Sequence, residues 1–210
     1  MPDTPATDWT RYYESPFITA HVTRRITAHR IANMLVAAEF PAGGSIIELG
    51  GGNSSFCDTF TDRLHAGLYT VVDSNPHGIE LFRRKHAETA AVCADILTLD
   101  TALFEPADLV FSVGLVEHFP PEKMEEAVRR HFELAKPGGL ILITFPTATF
   151  SYRLIRHAAE ALGIWRFPDE RPIPLEEAVR LCTAHGEVLA KRLNRTILLT
   201  QGIVLARKPL

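Results

Sequence analysis

From Ser45 onward the chain alternates short apolar runs with amphipathic stretches. The runs are Ser45-Ile46-Ile47-Glu48-Leu49, Leu68-Tyr69-Thr70-Val71-Val72, Ala90-Ala91-Val92-Cys93, Leu109-Val110-Phe111-Ser112-Val113 and Leu140-Ile141-Leu142-Ile143-Thr144-Phe145. Brief and almost continuously apolar, they predict strands buried largely on both faces, the signature of a parallel sheet. Between them lie helical patterns: Ile79, Phe82 and His86 after Pro76, and Met124, Val128, Phe132 and Ala135 after Pro120-Pro121. Proline suits the first helical position, where the missing N–H is not needed. Repeated strand, helix, strand units predict an α/β, Rossmann-like, doubly wound sheet whose ligand lies beyond the carboxyl ends of the strands.

The last third breaks this rhythm. Tyr152, Ile155, Ala159 and Leu162 form one helical stripe that stops near Gly163, and residues 165–174 are a proline-rich, charged insert that no helix spans. A short helix opens at Leu175-Glu176-Glu177, followed by strands over 187–193 and 198–207 whose connection is too short for a helical crossover. These two pair antiparallel at one sheet edge, which makes seven strands with the last reversed. At the other end, Val22, Ile26, Ile31, Leu35 and Ala38 approximate one helical face, closed by Pro41-Ala42-Gly43-Gly44. Ahead of it Trp9-Thr10-Arg11-Tyr12-Tyr13 packs three aromatics into five residues, suiting either a packing segment or a lid over a ligand. The chain thus divides into an N-terminal segment and helix, 1–44, as lid or cap, and a domain over 45–210, with 147–175 as helix and insert on the substrate side.

Length allows one such domain with an extra element: 210 residues against roughly 150 per domain. A net charge of −3, from 22 basic and 25 acidic side chains, argues against holding nucleic acid by phosphate neutralisation. Cys57, Cys93 and Cys182 offer neither a disulfide framework nor a CxxC pair and fit a reducing cytoplasm. The N-terminus lacks the apolar core of a signal peptide, and no run approaches the roughly 18 residues of a membrane span. The nine histidines lack zinc-ligand spacing, so no metal is assigned.

The chemistry concentrates at strand ends. In Glu48-Leu49-Gly50-Gly51-Gly52-Asn53-Ser54 a strand runs through glycines into a helix, letting a nucleotide-like ligand approach the main chain and the helix N–H groups. A dinucleotide fingerprint wants a third glycine where Ser55 stands, and Glu48 would repel a pyrophosphate but welcome a cationic group. S-adenosylmethionine carries such charge on its sulfonium and α-ammonium. Asp73 closes the second strand, where a carboxylate accepts both hydroxyls of a ribose, with Ser74 beside it. Asp95 closes the third, placed for an exocyclic amine such as adenine N6, with Ile96 to cover the ring.

Residues 46–53, Val71-Val72-Asp73, Ala94-Asp95-Ile96, 108–113 and 134–140 match, in order, five motifs of class I S-adenosylmethionine-dependent methyltransferases, and over 45–146 the chain resembles that family. The resemblance implies the seven-stranded fold, the cofactor S-adenosylmethionine and methyl transfer, with cofactor contacts from Glu48, Gly50, Gly51, Gly52, Asn53, Asp73, Ser74, Asp95, Ile96 and Ser112. Ser54 replaces the third glycine of the family's usual G-x-G-x-G. Val113-Gly114-Leu115-Val116-Glu117-His118 is similar to the segment after the fourth strand in the ubiquinone-biosynthesis O-methyltransferase group, where E-x-x-E-H is thought to hold a metal in some members, but Gly114 replaces its first Glu.

Methyl transfer needs alignment and exclusion of water, and a base only where the acceptor must lose a proton. His118 is the candidate base, with Glu117 beside it; alternatively the two pair with each other and merely fix the loop. Tyr13 and Arg24 are candidates for the cofactor carboxylate or the substrate. The N/D-P-P-Y/F sequence of amino-methylating nucleic-acid enzymes is absent, which leaves a small-molecule acceptor: an oxygen of a sugar, a lipid-linked intermediate or another metabolite, under a roof made by 9–17, 145–152 and 165–174. The competing readings are an NAD-dependent oxidoreductase and a non-catalytic cofactor-binding scaffold. Oligomeric state is not legible.

Overall fold

The computed structural model describes residues 5–15, 20–195 and 199–210. Seven strands form one sheet: β1 (Ser45–Leu49), β2 (Leu68–Asp73), β3 (Ala90–Cys93), β4 (Ala107–Val113), β5 (Ala135–Pro146), β6 (Glu187–Asn194) and β7 (Gln201–Arg207). Their order is β3-β2-β1-β4-β5-β7-β6. The first five are parallel, and β7 runs antiparallel to both β5 and β6. The predicted doubly wound, Rossmann-like sheet with a reversed last strand is therefore present. Leu198, where the last strand was expected to begin, lies outside the described residues, as does Phe17 of the expected roof.

Seven helices accompany the sheet among the described residues: α1 (Trp9–Glu14), α2 (Ala20–Ala37), α3 (Cys57–Leu64), α4 (Pro76–Lys85), α5 (Pro121–Leu134), α6 (Phe150–Ala161) and α7 (Leu175–Thr183). Successive strand residues point to opposite faces, so each strand feeds two cores. Ile46, Leu109, Phe111, Leu142 and Leu205 pack on α2, α3 and α4 through Ile31, Leu35, Phe60, Ile79 and Phe82. Ile47, Val110, Ile141, Ile143 and Val204 pack on α5 and α7 through Met124, Val128, Phe132 and Leu181. Pro76 and Pro121 stand in the first helical turns as expected, and Gly163, at φ +66°, follows α6.

Three expectations shift. On α2 the buried positions are Thr27, Ala28, Ile31, Ala32 and Leu35, whereas Val22 and Ile26 are exposed. The small alanines pack beside Ile31 and Leu35, and the buried Thr27 hydroxyl reaches Gln201 on β7 at 3.2 Å, so a polar residue and two alanines outrank two branched ones. Second, β3 is not buried on both faces, because it is the sheet edge. The chain returns from it to β4 through a 3₁₀ turn, Thr101–Leu103, and beside that turn a groove of about 890 Å³ runs between Leu68, Val92, Asp95 and Phe104. Third, β5 reaches back to Ala135, which therefore leaves the helical stripe of α5, with an irregularity in its pairing before Leu140. No helix among the described residues is long and apolar enough to cross a membrane.

Candidate active site

The strand register sets the geometry. Leu49 lies beside Val72 and Ser112, and Asp73 beside Cys93, so the turn after β1, Asp73, Asp95 and the loop after β4 all leave the same edge of the sheet. The turn after β1 needs glycine. Gly50 and Gly52 take φ +69° and +48°, and Gly50 donates its N–H to Val72 O at 2.8 Å. A Cβ on Gly50 would also stand 2.7 Å from Leu115 Cδ1. Gly50→Ala is therefore expected to cost about 1–2 kcal/mol of stability for the left-handed backbone alone, to be read from urea unfolding; an unchanged midpoint would contradict the turn geometry.

Ser54 accounts for its departure from a third glycine. Its Oγ accepts the N–H groups of Phe56 and Cys57 at 3.1 and 3.2 Å, so it satisfies the start of α3. Those two N–H groups are consequently not free for a ligand, contrary to the expectation for this helix start.

Glu48 sits behind the turn, 3% exposed, and accepts the Tyr69 hydroxyl at 2.7 Å. Burial pushes its carboxyl up to about 7, against the opposing hydrogen bonds of Ser54 and Tyr69. It supports the turn from beneath and does not form its surface.

Asp73 is nearly buried. One oxygen accepts the Asn75 N–H at 2.7 Å, and the other accepts the Tyr13 hydroxyl at 3.2 Å. The Tyr13 side chain lies on Gly52 and Gly78: a Cβ on Gly52 would come within 2.1 Å of its hydroxyl, and one on Gly78 within 2.7 Å of its ring. Arg24 joins α2 to this corner, donating to Ser55 Oγ at 3.3 Å and to the Tyr12 hydroxyl. Both N-terminal residues singled out in the sequence thus reach the glycine corner, and α1 covers it.

The remaining cofactor candidates differ in standing. Asp95 is exposed and uses one oxygen to accept the Leu97 N–H at 2.9 Å, which leaves the other open. Ile96 is only 6% exposed and belongs to the core, so little of it is left to cover a ring. Asn53 lies half-buried on the glycine turn, and Ser74 is exposed after Asp73. Ser112 is fully buried with its hydroxyl 2.9 Å from Nε2 of His131. That side chain is committed to α5, which removes it as a ligand contact.

After β4 the 3₁₀ turn Val116–His118 carries Glu117 and His118. They do not pair with each other. His118 Nδ1 lies 3.0 Å from Asp169 Oδ1, and Asp169 in turn accepts the Thr7 N–H at 3.2 Å and the Thr7 hydroxyl. Trp9 stands edge-on to the His118 ring at 4.8 Å, Phe167 packs on both rings, and Arg171 N–H donates to Glu117 O at 3.1 Å. Glu117 is buried with Oε2 unpartnered, and burial together with Glu170 and Asp169 holds its carboxyl well above the ordinary range. Burial also raises Glu170, which accepts the Tyr152 hydroxyl. Of the expected roof, residues 9–13 and 165–167 do converge here, while Phe145 is a core residue.

Glu117, His118 and Glu170 bring one ligand atom each within 4.8 Å of one another. Burial and neighbouring negative charge hold both carboxyls above their ordinary range, and His118 meets Asp169 through Nδ1. The sequence places Asp169, Glu170 and Tyr152 within the expected roof, with no role of their own, and does not single out Thr7. The insert is legible only as a charged, proline-rich part of the expected roof, and nothing in linear spacing ties Thr7 to a residue 162 positions away.

A sheet of order 3-2-1-4-5-7-6 with β7 reversed is a methyltransferase-type fold. The family model for the methyltransferase domain matches residues 19–186, and the chain belongs to that family. Among solved structures it is similar to magnesium protoporphyrin IX methyltransferase from Synechocystis PCC 6803 with bound SAH, at 15% identity and TM-score 0.75, over 95% of this chain and 92% of that one. It is similar too to the N-methyltransferase NodS of Bradyrhizobium japonicum WM9 in complex with S-adenosyl-L-homocysteine (15% identity, TM-score 0.65, 87% of each chain). A third is 1,6-didemethyltoxoflavin-N1-methyltransferase of Burkholderia thailandensis (18%, TM-score 0.64, 96% and 89%). At such identities the likeness is one of fold. No protein of curated function matches the sequence significantly.

Proposed function

We propose that the protein transfers a methyl group from S-adenosylmethionine to an oxygen of a small-molecule acceptor. The observation that carries this reading is the convergence at one sheet edge of the glycine turn and Asp73 with His118 on the adjoining turn after β4. S-adenosylmethionine, when bound, supplies a methyl made electrophilic by positive sulfur. Asp73 would accept the ribose hydroxyls once Tyr13 leaves Gly52 and gives up the Asp73 oxygen that it now holds, and the uncovered glycine turn would then allow close backbone approach. The open oxygen of Asp95 would accept a hydrogen of the adenine amine. The carboxylates of Glu48 and Asp73 favour the cationic donor over its neutral-sulfur product.

Trp9, Tyr12 and Phe167, with the insert that carries Phe167, shield the neighbourhood of His118 from water. Burial lowers the affinity of His118 for a proton despite Asp169, so the ring is neutral near pH 7 and can take the proton that a hydroxyl acceptor loses. A small acceptor fits the acidic balance of the chain, and a nucleic-acid partner does not. Cysteine usage suits a cytoplasmic enzyme.

The test is incubation of a metabolite extract with S-adenosylmethionine labelled in its methyl group, followed by identification of the labelled product. Wild type is expected to label one compound class through oxygen. His118→Ala is expected to lower that transfer by about 10²–10⁴-fold with cofactor affinity preserved. Calorimetry in which wild type binds NADH but not S-adenosylmethionine would reverse the assignment.

A further inference from the structure

The turn after β4, the insert and the N-terminal segment meet at one hydrogen-bonded chain. His118 presents Nδ1 to Asp169 Oδ1 at 3.0 Å, and the same carboxylate accepts both the backbone and the hydroxyl of Thr7. Thr7 is buried, and Asp169 is only 21% exposed. We infer that Asp169 is a positioning residue for the reaction: it holds His118 in the tautomer that leaves Nε2 as a free base, and Thr7 holds Asp169, so the dyad is complete only when the N-terminal segment is docked. This inference rests on the methyltransferase reading for what Nε2 does, but its geometry stands independently.

The argument is one of donors and acceptors. A carboxylate only accepts, and a neutral imidazole carries one N–H. With Asp169 ionised, the ring proton must lie on Nδ1, and the lone pair is left on Nε2. Burial opposes ionisation of Asp169, but the hydrogen bonds from Thr7 and from His118 outweigh it and hold the carboxyl below its ordinary range. Nε2 has no hydrogen bond to a described residue, yet it is not among the sealed polar atoms, and the side chain keeps 9% exposure. It therefore still opens to the surroundings beside Trp9 and Phe167.

The second histidine near β4 shows the contrast. His131 is wholly buried, with Nδ1 at Ala127 O and Nε2 at Ser112 Oγ, so both nitrogens are spent on structure. His118 spends one and keeps one. The arrangement also gives the insert and the N-terminal segment a shared purpose: neither supplies the base, and both are needed to aim it. Thr7, placed two residues before α1, couples the covering of the glycine corner by Tyr13 to the orientation of His118. A structural ion pair alone would not need the third partner, since a surface carboxylate can follow a histidine without being clamped.

The test reads the tautomer directly, by long-range ¹H–¹⁵N correlation spectra of the ligand-free full chain near pH 7.5, with His118 assigned through His118→Gln. Wild type is expected to show His118 protonated on Nδ1. In Asp169→Asn, whose amide can donate to Nδ1, the proton is expected to move to Nε2; in Thr7→Val, which removes the hydroxyl bond but keeps the backbone N–H on Asp169, a smaller shift toward Nε2 is expected. S-adenosylmethionine affinity is expected to hold in both variants, while labelled methyl transfer in Asp169→Asn falls by about 10²–10⁴-fold. A wild-type ring protonated on Nε2, or an unchanged tautomer in Asp169→Asn, overturns the inference. The wild-type spectrum needs no variant to fold. Failure of wild type to bind S-adenosylmethionine would instead refute the functional reading while leaving the dyad in place.

Discussion

Asp73→Ala is expected to weaken S-adenosylmethionine binding by about 10–100-fold in calorimetry, the range for losing charge-assisted hydrogen bonds worth about 1.5–3 kcal/mol. The loss is larger than for an exposed carboxylate because Asp73 is nearly buried and already desolvated. It also accepts the Asn75 N–H, so the alanine variant frees the start of α4. Asp73→Asn separates the two effects. It keeps an acceptor for Asn75 and loses the charge, and its affinity is expected to fall while its thermal unfolding stays near wild type. Equal affinity in wild type and the alanine variant would remove Asp73 from the cofactor site.

Glu48→Gln is expected to stabilise the ligand-free protein by about 3 kcal/mol at pH 8 and to leave it nearly unchanged at pH 4. The folded carboxyl sits at about 7 against 4.5 for an unperturbed one. Between those values the folded state binds a proton that the unfolded chain has released, so stability falls as pH rises, by about 1.4 kcal/mol per unit. The contribution is whole below pH 4.5 and lost as pH passes about 7. Glutamine removes the charge and retains an acceptor for Tyr69, so the difference between the variants isolates this group. Urea unfolding at both pH values measures it, and a variant no more stable than wild type at pH 8 would show that Glu48 ionises without cost. The same substitution is expected to weaken S-adenosylmethionine binding above pH 7, because the ionised carboxylate that destabilises the empty protein is what favours a cation.

These two carboxylates mark how far a linear reading reaches. Both stand at strand ends in register with a glycine turn, and strand ends are legible because buried parallel strands are continuous apolar runs with abrupt polar stops. Ser112 stands at such an end as well, yet its hydroxyl turns to His131 on the other side of the sheet. Side-chain direction depends on the face a residue occupies, and in a sheet buried on both faces apolar patterning does not distinguish the two. The face of α2 misled for a related reason: Val22 and Ile26 are more apolar than Thr27 and Ala28, but contact with α3 and β7 favours small residues and one hydroxyl.

What the sequence by itself determined is the sheet, its reversed last strand, the glycine turn, Asp73 and the place of His118 after β4. Each depends on neighbours within a few residues: apolar runs, glycine freedom, proline at helix starts. Tertiary structure alone decided which groups meet His118. Its partner is Asp169 and not Glu117, and Asp169 is held by Thr7 from the opposite end of the chain. Hydrogen bonds between loops leave no period in the sequence, because irregular backbone imposes no repeat, so such partners become visible only when the sheet has brought the loops to one edge.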